Sequence, residues 1–320
     1  MSNRPRTQIY TDVVKFLKTG SHTTLQIAEH TNINWETAKN AVETLFAIKL
    51  ISLEEKNGKT YYFVNESNIL SLNENTLLGI PISEPQRKLT LQLKKRIQER
   101  WKDRRAQLKT FQNKILVKVV KDAKIKDIPY GWYLFGECVV LHEELTEKSI
   151  TKYDPEIDAA IKYYEDCQTT AELMRKTYRD EQNATYLARL NITNILMDRF
   201  TENSIHDLRR ELKNLLFSIK VNEETKPLLE YIDGFVSMAL RITTKLGPLQ
   251  AEEIRPIIIE AFNAVWEIIA TYNLYTSLES NGFYSKAEIQ KYYHLRMESL
   301  KQVATEYLFH LKDYVPPLDL

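Results

Sequence analysis

The sequence predicts a mainly α-helical protein with a small β-hairpin near its N-terminus. Three observations carry this prediction. Apolar residues recur at a spacing of three or four over most of the chain. Only eight glycines and ten prolines occur in 320 residues, which is few for a fold rich in tight turns. The dipeptide Asn57-Gly58 lies between two β-prone runs and is a strong hairpin signal.

The first two helices are predicted from their apolar faces and end signals. A helix over 7–19 places Ile9 and Val13 on one face, and Gly20 follows as a stop signal. The stretch Thr23-Thr24-Leu25-Gln26 has the pattern of a capping box, which predicts a second helix ending near Thr31-Asn32. We expect this second helix to bury Leu25, Ile27 and Ala28.

A third helix is predicted in NINWETAKNAVETL, residues 32–45, and would run to about Lys49. Asn34 suits its N-cap, and Ala38, Val42 and Leu45 have the spacing of a buried face. The residues that would then point outwards are Trp35, Glu36, Lys39, Asn40 and Glu43.

Two alternating runs, 51–54 and 61–64, follow this helix and would pair across Asn57-Gly58. Three helices and a hairpin in this order resemble the winged helix-turn-helix DNA-binding domains of transcription regulators. The resemblance rests on LQIAE (25–29), on INWETAKNAV (33–42), on Leu50-Ile51 leading into the wing and on the Asn57-Gly58 tip. It covers about 60 of the 320 residues and departs from the family at Lys49, where such domains often have glycine.

The resemblance implies that the third helix enters the major groove of double-stranded DNA and that the wing tip contacts phosphate or the minor groove. The residues it places at DNA are Asn34, Trp35, Thr37, Lys39 and Asn40 in the helix, with Lys56 and Lys59 in the wing. Three observations keep the alternative open. Glu36 and Glu43 could hold Lys39 in a solvated charged face, Trp35 could be a core anchor, and residues 1–65 carry a net charge of only +2.

Charge is distributed unevenly, although the whole chain carries only +1. Residues 85–126 contain 15 basic and 3 acidic residues, a net charge of +12, whereas residues 127–320 contain 21 and 31, a net charge of −10. Such a basic block indicates either a polyanionic partner or an acidic surface of the same molecule.

The basic block is predicted to be one continuous helix over 84–126, joined to the domain at 1–68 by a linker at 69–83. Ser83 and Gln86 form its capping-box pattern. Three uses remain open: contact with a nucleic-acid backbone, docking on the acidic C-terminal helices, or dimerisation. For the first use, the residues expected at DNA are Lys94, Lys95, Arg100, Arg104 and Arg105.

Residues 127–320 are predicted to form an all-helical domain for dimerisation, partner binding or ligand sensing. The aromatic stretch 127–136 is predicted to be a loop or short hairpin. It could form a ligand wall or an interface, but we favour a plug that buries aromatic side chains between two helical layers. Helices are expected near 155–200, with at most one break, and at 204–221, 223–246, 249–278 and 285–313. The apolar run 254–270 is interrupted by charged residues, so we expect a buried helix rather than a membrane span.

Catalytic signatures are nearly absent, with no P-loop, GxGxxG, HExxH or GxSxG sequence. We therefore expect no enzyme, no cofactor and no metal site. Two cysteines without a CxxC pattern, and an N-terminus without an apolar signal region, lead us to expect a soluble cytoplasmic protein.

These patterns together predict a DNA-binding transcription regulator that acts as a homodimer on double-stranded DNA, with a protein partner or small-molecule effector on its C-terminal domain. The alternative is a winged-helix interaction scaffold that does not read DNA. An enzyme built on a helical bundle is a third hypothesis, and no residue pattern favours it.

Overall fold

The structure is a computed structural model that describes residues 6–17, 19–47, 51–56, 58–64, 76–143 and 147–316. These residues form twelve α-helices and four short strands, which confirms the mainly α-helical fold. The chain divides into two compact units: an N-terminal unit (Met1–Glu74 with Leu78–Ile80) and a helical unit (Asn75–Leu77 with Pro81–Leu320).

The N-terminal unit contains three helices followed by an antiparallel hairpin, an arrangement compatible with a winged helix. The elements are α1 (Arg6–Leu17), α2 (Thr24–Thr31), α3 (Trp35–Ala47), β1 (Ile51–Lys56) and β2 (Lys59–Val64). Ile51 lies opposite Val64 and Lys56 opposite Lys59, so the hairpin turns where Asn57-Gly58 predicts it. Lys49, Leu50 and Asn57 themselves lie outside the described residues.

The core of the N-terminal unit forms where the three helices meet β1. Val13, Ile27, Ala38 and Val42 are each fully buried, because their spacing places them on the inner faces of α1, α2 and α3. The capping box predicted at Thr23 and Gln26 is present. Leu25, by contrast, is 57% exposed, so its predicted burial is wrong.

A backbone bridge between His22 and Tyr62 ties the segment before α2 to β2. The His22 N–H donates to the Tyr62 carbonyl at 2.9 Å, and the Tyr62 N–H donates back at 2.8 Å. This pairing fixes the wing against the helices, because it connects β2 to a segment far from it in sequence.

The basic segment forms two helices, α4 (Glu84–Arg100) and α5 (Lys109–Asp122), so the prediction of one continuous helix is wrong. The backbone of Trp101 is extended, and the Asp103 carboxylate then accepts the Arg105 N–H to start a short 3-10 turn at Arg104–Gln107. The chain folds back, and the Trp101 and Phe111 rings meet with centroids 5.5 Å apart. A helical spacing of apolar residues is compatible with both arrangements, which explains the error.

The aromatic stretch forms a hairpin of β3 (Tyr130–Tyr133) and β4 (Gly136–Val139) that packs on the long helix α11 (Pro248–Ser280). The Trp132 N–H donates to Ser277 Oγ at 3.3 Å, and the Trp266 indole donates to the Leu134 carbonyl at 3.1 Å. The hairpin therefore fills space between helices, as expected for a plug.

Seven helices complete the helical unit in the described part of the chain. They are α6 (Asp154–Tyr164), α7 (Thr170–Asp180), α8 (Ala184–Met197), α9 (Glu202–Ser218), α10 (Lys226–Lys245), α11 and α12 (Lys286–Lys312). The last four agree with the predicted positions. The region 155–200 is broken twice rather than at most once, because Thr169 and Asn183 each cap a new helix.

One helix in the described residues, α11, is long and apolar enough to cross a membrane. Within its most apolar stretch, 61% of the residues are buried inside the protein. This is the pattern of a core helix and is consistent with a soluble protein. The cytoplasmic location stays a prediction.

Candidate nucleic-acid interface

Helix α3 exposes the face that its sequence pattern predicts. Trp35, Glu36, Lys39, Asn40 and Glu43 are all exposed. Trp35 is 52% exposed, so the alternative that it anchors the core is wrong. Because the opposite face of α3 is fully buried, this outer face is free for contact with another molecule.

Lys39 lies at the centre of the exposed face and interacts only weakly with its neighbours. Its Nζ is 5.5 Å from the centroid of the Trp35 ring and 3.8 Å from a Glu43 carboxylate oxygen. Exposed pairs of this kind contribute little to stability, about 0.3–0.5 kcal/mol for an i,i+4 pair. The Lys39 ammonium can therefore leave the Trp35 ring and the Glu43 carboxylate for a stronger acceptor.

Asn34 caps α3 rather than facing outwards with a free side chain. Its Oδ1 accepts the backbone N–H of Thr37 at 2.7 Å, as an N-cap residue does. Bidentate recognition of adenine needs both the amide oxygen and the amide nitrogen. Asn34 has committed its oxygen, so Asn40 is the residue of the predicted pair that retains a whole amide for base contact. Thr37 is half-buried beside the cap.

The wing offers two lysines in different electrostatic settings. Lys56 Nζ donates to Glu54 at 2.8 Å, and this hydrogen bond lowers the pKa of the Glu54 carboxyl. Lys59, directly opposite on β2, is exposed and forms no ion pair within the described residues. Lys59 is therefore the wing cation most available to a phosphate.

The basic segment uses much of its charge inside the helical unit. Arginine–carboxylate pairs join α4 to the chain beyond it: Arg87 Nη2 lies 2.5 Å from Glu143 and Arg96 Nε 2.8 Å from Asp154. Arg100 pairs in the same way with Asp158 through two nitrogens. Each pair is a two-point contact, which fixes the direction of the guanidinium. These placements favour the docking alternative for this segment.

Two of the other residues expected at DNA are also occupied within the protein. Lys94 is 7% exposed and its ammonium donates to the Leu141 carbonyl at 2.6 Å, so it does not face a phosphate backbone. Burial lowers the pKa of Lys94 to about 8. Arg105 donates to the carbonyls of Glu165 and Cys167 at 2.9 and 2.6 Å.

Four cations in α4 and the turn after it are at least partly open to solvent. Lys88, Lys102 and Arg104 are exposed and Lys95 is half-buried, and within the described residues none of these four forms an ion pair. Of the five predicted DNA contacts in this segment, Lys95 and Arg104 thus retain an unpaired charge. Lys94, Arg100 and Arg105 have partners within the helical unit.

The N-terminal unit also carries an apolar surface that sequence reasoning missed in part. Leu25, Phe46 and Leu53 are 57%, 44% and 41% exposed, in addition to Trp35. Leu25 occupies a position in α2 where the helical pattern predicts burial. A binding surface for protein would use such side chains.

No protein-family model, curated protein or solved structure was found to match the chain. The candidate interface therefore rests on its own geometry.

Proposed function

We propose that the N-terminal unit binds double-stranded DNA through the outer face of α3 and the β1–β2 wing. The observation that carries this proposal is the exposed, weakly paired Lys39–Asn40 face of α3, which a helix–helix–helix–hairpin frame presents outwards. An α-helix fits the major groove of B-DNA, and lysine and asparagine match the acceptors and donors of guanine and adenine edges.

In this proposal the exposed residues divide into those that contact bases or sugars and those that contact phosphate. Lys39 and Asn40 contact base edges, and the Trp35 ring packs against a deoxyribose or a thymine methyl group. Lys59, with Lys56 once it leaves Glu54, contacts phosphate. Phosphate contacts position the domain, and base contacts select the sequence.

The small number of available lysines predicts a modest salt dependence. With Lys56 and Lys59 as the phosphate contacts, the slope of log K against log salt should be about −2. Affinity should then fall about 12-fold between 50 and 200 mM salt. Fluorescence anisotropy of the whole chain with labelled duplexes measures both quantities.

Two alanine variants separate the tasks. Lys59→Ala should weaken binding to every duplex alike and reduce the salt slope by about 1. Lys39→Ala should weaken binding and narrow the difference in affinity between preferred and other duplex sequences. Lys226→Ala, which removes an exposed lysine from α10, is the matched control and should leave binding unchanged. Absence of binding to any duplex at low salt would contradict the proposal.

We further propose that a homodimer places two α3 helices in successive major grooves, about 34 Å apart. The helical unit would supply the dimer contact and bind an effector or partner. Light scattering should give twice the chain mass of 37.6 kDa, and a monomeric mass on DNA would contradict the dimer.

A second candidate function is a protein-interaction module. It is favoured by the exposed apolar side chains Leu25, Trp35, Phe46 and Leu53, and by the internal pairing of the arginines in α4. If this second function is correct, the natural chain binds no duplex at any salt concentration. Leu53→Ser would then abolish capture of a partner protein.

A further inference from the structure

A cavity of about 290 Å3 opens in the helical unit between the N-terminal end of α10, the C-terminal half of α11 and α12. Three tyrosines line it, namely Tyr272, Tyr275 and Tyr293. Buried apolar side chains from α10 and α12 complete the lining: Leu228, Ile289 and Met297. Its volume lies at the lower end of the range for ligand sites, so it suits a small molecule.

The charged residues around the cavity are mostly acidic. Two of its four glutamates have partners: Glu224 pairs with Lys286 at 2.8 Å, and Glu298 pairs with Lys301 at 3.0 Å. Glu223 and Glu279 form no ion pair within the described residues, although both line the cavity. The Lys286 ammonium also interacts electrostatically with Glu279. Four glutamates face only Lys286 and Lys301, so the lining keeps a net charge of −2.

Burial and nearby charges affect the phenol groups of two tyrosines that line the cavity. Burial raises the pKa of Tyr293 to about 12, and the nearby carboxylates of Glu224 and Glu298 act in the same direction. Tyr293 and Tyr275 meet edge to face with centroids 5.5 Å apart. The buried hydroxyl of Tyr275 has no hydrogen-bond partner in the described part of the chain.

We propose that this cavity binds a small organic cation with N–H donors, of the primary ammonium or guanidinium class. Aromatic faces attract organic cations, and the carboxylates of a net negative lining accept hydrogen bonds from N–H groups. A quaternary ammonium ion offers the charge without the hydrogen bonds. The assignment does not depend on DNA binding by the N-terminal unit.

An inorganic ion fits the cavity less well than an organic cation. No group of three His, Cys, Asp or Glu residues in the described ranges is close enough to hold a metal ion. The tyrosine and aliphatic lining also offers no advantage to a hydrated ion, whereas it would contact the carbon chain of an amine.

Isothermal titration of the whole chain with agmatine tests the proposal, because agmatine carries both an ammonium and a guanidinium group. Choline supplies a cation without N–H donors on its nitrogen, and 1-pentanol supplies a neutral chain. We expect agmatine to bind at least about tenfold more tightly than choline, and we expect no binding of pentanol.

Glu279→Gln is the decisive variant, since it removes one negative charge from the lining with little change in shape. It should weaken agmatine binding about five- to tenfold and leave the melting temperature of the free protein within about one degree. Glu253→Gln makes the same change on the same helix, 26 residues or about 39 Å away. It should leave agmatine binding unchanged.

Three results would overturn the assignment: no heat of binding for agmatine at millimolar concentration, equal binding of choline and agmatine, or an unchanged affinity in Glu279→Gln. Mg2+ competing for the site at low millimolar concentration would also overturn it, because it would indicate an inorganic ion site. Binding of agmatine by a chain that fails to bind any duplex would support this assignment while contradicting the proposed function.

Discussion

Replacement of Trp266 by alanine should reduce the free energy of unfolding of the helical unit by about 4 kcal/mol. Trp266 is 1% exposed in the centre of α11, and its ring meets Tyr186 edge to face at 4.9 Å. Its indole N–H donates to the Leu134 carbonyl in the turn between β3 and β4. Alanine would leave a large cavity and an acceptor without its donor, and both effects destabilise the folded state.

Urea unfolding followed by circular dichroism measures this loss. Trp35→Ala is the control, because Trp35 is 52% exposed, and it should change stability by less than about 0.5 kcal/mol. If Trp266→Ala does not fold, Trp266→Phe gives a smaller loss of the same sign. Equal stability of the Trp266 and Trp35 variants would contradict the role of the β3–β4 hairpin as part of the core.

Stability should rise with pH between 7 and 9, by about 2 kcal/mol in total. Burial lowers the pKa of both Lys94 and Lys114 to about 8, well below the value of a lysine in the unfolded chain. Above pH 8 the unfolded state therefore binds more protons than the native state, and raising the pH stabilises the native state. Cys138 opposes this trend above about pH 9, because burial raises the pKa of its thiol to about 11.

Lys114→Met should remove about half of this pH dependence. The Lys114 ammonium donates to the Glu137 carbonyl at 2.9 Å and lies 5.7 Å from the centroid of the Tyr178 ring, with almost no exposure. Methionine has a similar shape and no charge, so the variant should be more stable than the natural chain at pH 7 and differ less from it at pH 9. A natural chain whose stability is flat from pH 7 to 9 would contradict the assignment of these two lysines.

Local signals in the sequence predicted the helices well. Thr23 with Gln26 and Ser83 with Gln86 each place an N-cap and its reciprocal partner three residues apart, and both capping boxes form. These signals act over one helical turn, so a sequence contains all the information they need.

Features that depend on distant partners were not predicted. Whether the basic segment is straight or folded back at Trp101 depends on what its apolar face packs against, and the spacing is the same in both cases. Lys94 and Lys114 follow the pattern of a charged helix face, yet their ammonium groups donate hydrogen bonds inside the protein to carbonyl oxygens 47 and 23 residues away. Lysine can bury its stem this way only where the fold supplies an acceptor.

In the candidate interface, too, the sequence predicted the exposed helix face but not the consequences of individual hydrogen bonds. The exposed face of α3 follows from helical spacing, so Trp35, Lys39 and Asn40 were predicted to point outwards and do so. The use of Asn34 as a cap was also predicted, but its consequence for base contact follows only from the hydrogen bond to Thr37. DNA recognition itself stays a proposal.

Selection of duplexes from a random-sequence pool by the whole chain tests the central claim most directly. If α3 reads DNA, one sequence motif should be enriched, and Lys39→Ala and Asn40→Ala should each lose preference at particular positions of that motif. Lys226→Ala should enrich the same motif as the natural chain. Uniform recovery of all sequences would contradict the claim that this helix reads DNA. So would recovery, by both α3 variants, of the same motif that the natural chain enriches.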